Sequence, residues 1–304
     1  DEGCDVIVVY AHEGSYIDTS IANLTGNHYV NAIFNAHTHQ NEHGTISRST
    51  GVAMPYAQAS NSEYSLFSRI TLTYDREAGE VTASSSSIKS LMDVSYNSDS
   101  SIADILYQYD NDVDYRAFVD QVLAHTDTSY SSSALAKWGA SVIRDYTGVD
   151  VGALNRGGFR VTMPAGDVTM ADLITVYPFD NYIKTCEMTG AELTDLYESL
   201  SSTDVVFDDS LSYSSGTLYI NGIPVQNNGT YTIGAVDYIF DKDYYPFMYG
   251  DNIQTTTYLM RDLLAEDLGN TTGTFNPYDG TSASLSTFIF EPVIVLRSDF
   301  GLIN

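Results

Sequence analysis

Positive charge is scarce in this chain. Only 13 of its 304 residues are Lys or Arg, against 40 Asp and Glu, which gives a net charge of −27 and a pI near 4.1. A nucleic-acid binder needs a basic face to displace counterions from phosphates, and no run of Lys or Arg supplies one. Anionic lipid is disfavoured for the same reason. Cysteine is almost as rare: Cys4 and Cys186 stand far apart, which excludes a disulfide framework and reads as two buried free thiols. No apolar run approaches the roughly 20 residues that span a bilayer. No G-x-G-x-x-G opens a helix after a strand, so a Rossmann-type cofactor enzyme has no support.

What is present suffices for packed cores. Hydrophobic residues make up 43% of the chain and aromatics 12%, in a length suited to two domains. The acidity itself reads first as a device for solubility. Residues 5–10 and 30–35 read as buried strands, with a short helix and loop over 18–27 between them. Residues 65–74 alternate cleanly and predict a half-exposed strand, followed by a turn at 75–80 and a hairpin partner from Val81. The Ser-, Asn- and Asp-rich stretch 84–101 reads as a boundary. Residues 102–123 then carry apolar positions at near-helical spacing and predict one or two connecting helices. Beyond them the pattern predicts a helix over 133–146, with Leu135, Trp138, Val142 and Ile143 on one face, and a buried strand over 149–154. A helix over 189–199 opens on Thr189-Gly190-Ala191-Glu192, a capping box. A hairpin over 219–231 turns at Asn221-Gly222, and a helix over 255–267 and a final strand over 288–296 close the pattern. The fold class is α/β, of the mixed α+β kind.

Two constellations carry chemistry. The first is Val8-Val9-Tyr10-Ala11-His12-Glu13-Gly14 followed by Ile33-Phe34-Asn35-Ala36-His37-Thr38-His39. Each histidine motif follows a short apolar run, where a strand hands over to a loop. Neutral imidazole suits a divalent metal such as Zn or Mn, and no thiolate cluster argues for a structural zinc. The second is Asn155-Arg156-Gly157-Gly158-Phe159-Arg160, directly after a predicted buried strand. Two glycines let the backbone turn sharply, and guanidinium forks match phosphate geometry. Downstream stand Gly166-Asp167-Val168-Thr169, Tyr177-Pro178-Phe179-Asp180-Asn181, Met188-Thr189-Gly190-Ala191-Glu192-Leu193 and Tyr245-Pro246-Phe247-Met248-Tyr249-Gly250-Asp251.

In order and spacing these motifs resemble the 5'-nucleotidase family, which includes UDP-sugar hydrolases and the 2',3'-cyclic-nucleotide phosphodiesterases. The resemblance implies the later part of an αββα metallophosphoesterase domain at 1–85, a helical linker at 86–124 and a layered α/β nucleotide-binding domain at 125–304. His12, His37 and His39 would be metal ligands. Asn155 and Arg160 would contact the nucleotide, Phe179 and an aromatic at or near Tyr245 would sandwich the base, and Asp251 would accept from ribose hydroxyls. The family's Asp-x-His, Gly-Asp and Gly-Asn-His motifs do not precede His12, so the chain is expected to begin inside the catalytic domain and to hold no catalytic residue of its own. Three departures stand out: Ala36 where the family usually has Gly, Ser131-Ser132-Ser133 where it carries a phosphate-binding arginine, and Tyr249 where it has Gly.

The implied function is the C-terminal portion of a phosphohydrolase that cleaves nucleotide phosphate esters with two divalent ions (Zn, Mn or similar) and an activated water. Whether this chain is itself an enzyme stays open. Its expected partners are a nucleotide or related phosphate ester and its own N-terminal segment, with no nucleic-acid polymer, and self-association is left open. The expected location is secreted, periplasmic or at the cell surface. The rival expectation is a catalytically inactive extracellular binding or self-assembling structural protein on the same scaffold.

Overall fold

The computed structural model describes residues 3–49, 51–60, 66–93 and 99–281. The chain divides into two compact units, Asp1–Ala103 and Asp104–Asn304. The expected strand at 288–296 lies outside the described residues.

In the first unit, β1 (Val8–Tyr10), α1 (Asp18–Ala22), β2 (Ala32–Phe34), β3 (Glu42–Ile46) and β4 (Met54–Gln58) precede a long hairpin, β5 (Leu66–Asp75) and β6 (Glu80–Ser90). The first four strands form a sheet in the order β1-β2-β4-β3, parallel except where β3 meets β4. Ala22, Val30, Ile33 and Met54 make its small core. The strand expected at 5–10 is shorter and is not buried: Val8 and Tyr10 are 37% and 80% exposed, because β1 is an edge of the sheet. Of the stretch read as a boundary, Ser84, Ser85, Ser86, Ser87 and Ser90 are instead strand. Residues of β6 pair along nearly all of β5, and two hydroxyls donate to neighbouring carbonyls: Ser84 Oγ to Ala53 O at 2.7 Å and Ser86 Oγ to Gly44 O at 2.8 Å. Serine loses its loop preference once its hydroxyl finds such partners. At the hairpin tip, Asp75 accepts from the backbone N–H of Glu77 and Ala78, which holds its carboxyl below the usual range.

Two helices follow, α2 (Ser100–Asp110) and α3 (Val113–Val119), the second capped by Asp112, which accepts from Tyr115 N. The second unit continues with β7 (Val122–Thr126), α4 (Ser132–Thr147), β8 (Val151–Asn155), β9 (Gly166–Thr169), α5 (Met170–Val176), β10 (Tyr182–Thr189) and α6 (Gly190–Leu200). It closes with β11 (Val205–Phe207), β12 (Leu211–Ser214), β13 (Thr217–Ile220), β14 (Ile223–Pro224), β15 (Thr230–Val236), α7 (Asp237–Phe240), β16 (Asp251–Leu259) and α8 (Met260–Asn270). Its main sheet runs β11-β8-β15-β10-β16, with β8 and β15 parallel and the remaining pairs antiparallel. Helix α4 packs on β8 with Leu135, Trp138, Val142 and Ile143 all buried. The indole N–H of Trp138 donates to the buried carboxylate of Asp267 in α8 at 2.7 Å.

Local signals held where they were chemical. Thr189 and Glu192 form a complete capping box ahead of α6, and Thr169 and Asp172 form another ahead of α5. Asn221 and Gly222 both take positive φ, 50° and 76°, as a two-residue hairpin turn of type I′ requires. That hairpin is short, however. It joins β13 to β14 only, and Tyr231 belongs to β15 in the main sheet. Residues 255–259 are strand rather than the expected helix. The β-branched run Thr255-Thr256-Thr257 pairs with β10, and helix begins only at Met260.

Both cysteines are free, but only Cys186 is buried; Cys4 is exposed. Burial, with the charges of Asp251 and Glu192, pushes the Cys186 thiol up to about 12. At pH 8 its thiolate fraction is therefore on the order of one in ten thousand. A disulfide-exchange reagent at that pH should titrate one thiol quickly and the second only in denaturant. Gly152 lies under the α4 backbone, where an added Cβ would stand 1.9 Å from Ala140 O. Gly152→Ala should cost about 3 kcal/mol in chemical denaturation, because a helix backbone cannot step aside.

Candidate functional site

Strand β8 is buried along its whole length and delivers Asn155 at its end. A 3-10 turn, Arg156–Gly158, follows at once. The turn is held at two points: Arg156 N donates to Asp204 O at 2.8 Å, and Arg160 N donates to Val176 O at 2.8 Å. Gly158 leaves room for Tyr177, whose ring would lie 2.8 Å from an added Cβ. Phe159 is buried, with its ring 5.2 Å from that of Tyr177, so the backbone on either side of it is anchored by packing.

Anchoring Phe159 inward sends Arg160 outward. Its guanidinium lies 5.8 Å from the centroid of Phe179, within range of a cation–π contact. Phe179 is 39% exposed and meets Tyr177 edge to face at 6.0 Å. The structure thus brings Arg160 and Phe179 together as a cation beside an accessible aromatic face.

Tyr245 is placed differently from expectation. It is buried, and its hydroxyl donates to Asp204 Oδ1 at 2.9 Å. Burial, then that acidic partner, pushes its pKa well above the usual tyrosine range. Exposed rings stand on either side of it, Tyr249 and Tyr244, the latter 4.6 Å from Tyr245 by centroids. Asp204 is the residue the sequence reading missed. It joins the turn after β8 to Tyr245, and its other carboxylate oxygen faces Gly157, 3.6 Å from where a Cβ would stand. Nothing in its polar loop sequence marked it. Asp251 is exposed and begins β16 opposite Glu187, just past the 3-10 turn that starts after Tyr245.

In the first unit the two histidine loops are laced together. Ala36 N donates to Glu13 O at 3.1 Å, and the rings of His12 and His37 meet edge to face at 5.3 Å. His37 and His39 both take positive φ, 70° and 59°, a strained setting for residues with a Cβ, and one that gathers at functional loops. Among the described residues no three His, Cys, Asp or Glu side chains converge as a metal-holding group. A pair of divalent ions needs bridging and terminal carboxylates as well as imidazoles, so the described residues do not by themselves fit one. None of the eight residues selected from sequence lines the 860 Å³ concavity beside Cys4, His28 and Tyr29. None lines the 270 Å³ one between Met188, Leu196, Pro246 and Tyr249.

Residues 112–249 match the family described as 5'-nucleotidase, C-terminal domain. This segment belongs to that family. An apyrase of Tabanus yao is 38% identical over 53 residues, covering 17% of this chain and 10% of the relative. Protein UshA of Escherichia coli K12 is 28% identical over 107 residues, 31% of this chain and 19% of the relative. The solved 5'-nucleotidase precursor of Thermus thermophilus shares the fold, with a TM-score of 0.63 at 16% identity over 88% of this chain and 61% of that one. The matches thus span less than two thirds of each of these proteins.

Within the 5'-nucleotidase C-terminal domain fall Asn155, Arg160, Phe179 and Tyr245, while Asp251 lies two positions beyond the matched segment and the three histidines lie before it. Asp204 holds both Tyr245 and the turn that precedes Arg160. Asp204→Ala would strip the buried Tyr245 hydroxyl of its acceptor and should cost about 1–2 kcal/mol, read as a lower midpoint in urea. Tyr245→Phe in the Asp204→Ala background should then cost little more.

Proposed function

We propose that this chain is the nucleotide-holding portion of a 5'-nucleotidase-type phosphohydrolase that acts on nucleotide phosphate esters. The observation that carries the reading is the Arg160–Phe179 pair, set in a matched 5'-nucleotidase C-terminal domain. A nucleotide presents a flat π surface and an anion on one molecule. An exposed phenyl face takes the first by stacking, on the order of 1–3 kcal/mol, and a guanidinium takes the second through paired N–H donors. In a chain of net charge −27, a cation held beside an open ring favours an anionic ligand there.

Asn155, at the end of a buried strand, would offer its amide to the same ligand. Tyr245 would act by holding the loop, and the neighbouring exposed Tyr244 is better placed to supply a second stacking face. Asp251 would accept hydrogen bonds from a sugar diol. His12, His37 and His39 would supply part of a divalent-ion site, with carboxylates from other residues completing it, and such ions would supply the activated water. In this reading residues 1–85 form the metallophosphoesterase part, 86–124 the linker and 125–304 the nucleotide-binding domain. A secreted, periplasmic or surface location suits the acidity of the chain. No helix among the described residues is long and apolar enough to cross a membrane.

In the complete protein, Arg160→Ala and Phe179→Ala should each raise KM for a nucleoside monophosphate about tenfold, with kcat changed less, because both remove binding shared by ground and transition states. Unchanged kinetics in both variants would end the nucleotide reading. Nucleotide binding without turnover would favour the rival, an inactive binding protein on this scaffold.

A further inference from the structure

Four buried side-chain oxygens in the first unit have no hydrogen-bond partner: Asp18 Oδ2, Asn35 Oδ1, Glu42 Oε2 and Gln58 Oε1. They belong to one neighbourhood. Asn35 Nδ2 donates to Asp18 Oδ1 at 2.8 Å, and Asn35 N donates to Ala57 O, next to Gln58. Glu42 stands opposite Gln58 in the β3–β4 register, and its charge acts on Asp18. Asp18, Asn35 and Gln58 are 0%, 8% and 2% exposed.

The orphans of this neighbourhood are all acceptors; the two unpartnered donors of the same unit, Arg48 Nε and Nη1, belong to a side chain that lies over the Tyr29 ring and donates to Val30 O. Asn35 gives its amide N–H to Asp18, and Gln58 gives its own to Thr38 Oγ1 and to Gln40 O at 3.0 Å. Both amide orientations are therefore set by what their nitrogens do, and each carbonyl oxygen is left over. A buried acceptor without a partner has lost its water and gained nothing in return, so this neighbourhood calls for something positive. A single water carries only two protons and leaves half of the acceptors unmet. Burial raises the Asp18 carboxyl above its usual range; the Asn35 hydrogen bond opposes this, and the charge of Glu42 adds to it. The charged neighbour acting on Asp18 is thus a second carboxylate.

We propose that Asp18, Asn35, Glu42 and Gln58 form a buried binding site for a hard divalent cation, of which Ca²⁺ is the fitting kind. The donor set is all oxygen, two carboxylates and two amide carbonyls, which suits Ca²⁺ and offers no nitrogen or sulfur to recruit a transition metal. Ca²⁺ also accepts irregular geometry, where Mg²⁺ demands a near-ideal octahedron. The site uses none of the three histidines. It lies beneath their loop, since Gln58 also holds Thr38 and Gln40, so a bound ion would brace the segment that carries His37 and His39.

The test is thermal unfolding and calorimetric titration of the full chain, stripped with a chelator and then given CaCl₂ at fixed ionic strength. One tight Ca²⁺ per chain and a rise in Tm are expected, with Mg²⁺ weaker. Asp18→Asn and the part-exposed Glu42→Gln should each weaken binding about tenfold or more, while the exposed control Glu77→Gln should not. Should Asp18→Asn fail to fold, Glu42→Gln alone decides. A Ca²⁺ response that is equal in wild type and Glu42→Gln marks diffuse surface binding and overturns the site. So does a chain that shows no response to Ca²⁺ while Asp18→Asn raises Tm, which would identify a carboxyl held neutral.

Discussion

The second unit depends on how closely helix α4 lies on strand β8. Gly152 offers no side chain at the crossing, and the helix backbone occupies the space one would need. Trp138, two residues before Ala140 on the same helix, is fastened to Asp267 of α8. Asp208 ties the assembly from the other side, accepting from Gly152 N at 2.6 Å and pairing with Arg144. A buried ion pair of this kind adds little net stability, but losing one partner leaves an uncompensated charge. Its value here lies in position. It fixes the depth at which β8 runs, and with it the point where Asn155 emerges and the Arg156–Gly158 turn begins.

From that point onward the chain alternates anchors and reaching groups. Phe159 goes inward and Arg160 outward; Tyr177 goes inward and Phe179 outward; Tyr245 goes inward and Tyr244 outward. Each exposed side chain is thus one or two residues from a buried aromatic. The exposed member inherits its neighbour's rigidity at no cost in its own freedom to meet a ligand.

Much of this was legible in the residues themselves where the signal was local chemistry. The capping box at Thr189 and Glu192 and the Asn221-Gly222 turn depend on a few atoms in one stretch of chain, and both appear as read. The apolar face of α4 was legible for a related reason: a 3.6-residue period needs no knowledge of its partner. What failed depended on distant neighbours. Ser84 and Ser86 look like loop residues until the carbonyls of Ala53 and Gly44 accept their hydroxyls. The threonines at 255–257 sit in a helix-compatible window, but β10 recruits them as a strand. Tyr245 carried the right residue type for stacking, and only the position of Asp204, 41 residues earlier, shows that its hydroxyl is spoken for. Fold class was therefore readable, and the identity of the aromatic that faces solvent was not.

Among the described residues β1 is the last strand of its sheet, with Val8 and Tyr10 open to solvent. Unpaired N–H and C=O groups along such a strand are a template on which another strand can zip. Nothing on β1 itself blocks that, since it carries no Lys and no Pro. The whole molecule supplies a guard in its net charge, since two chains of charge −27 repel one another. That guard weakens as salt shortens the reach of the field, and it vanishes as acidity approaches the pI near 4.1. The scarcity of lysine and arginine thus sets how strongly two copies repel in dilute, neutral solution.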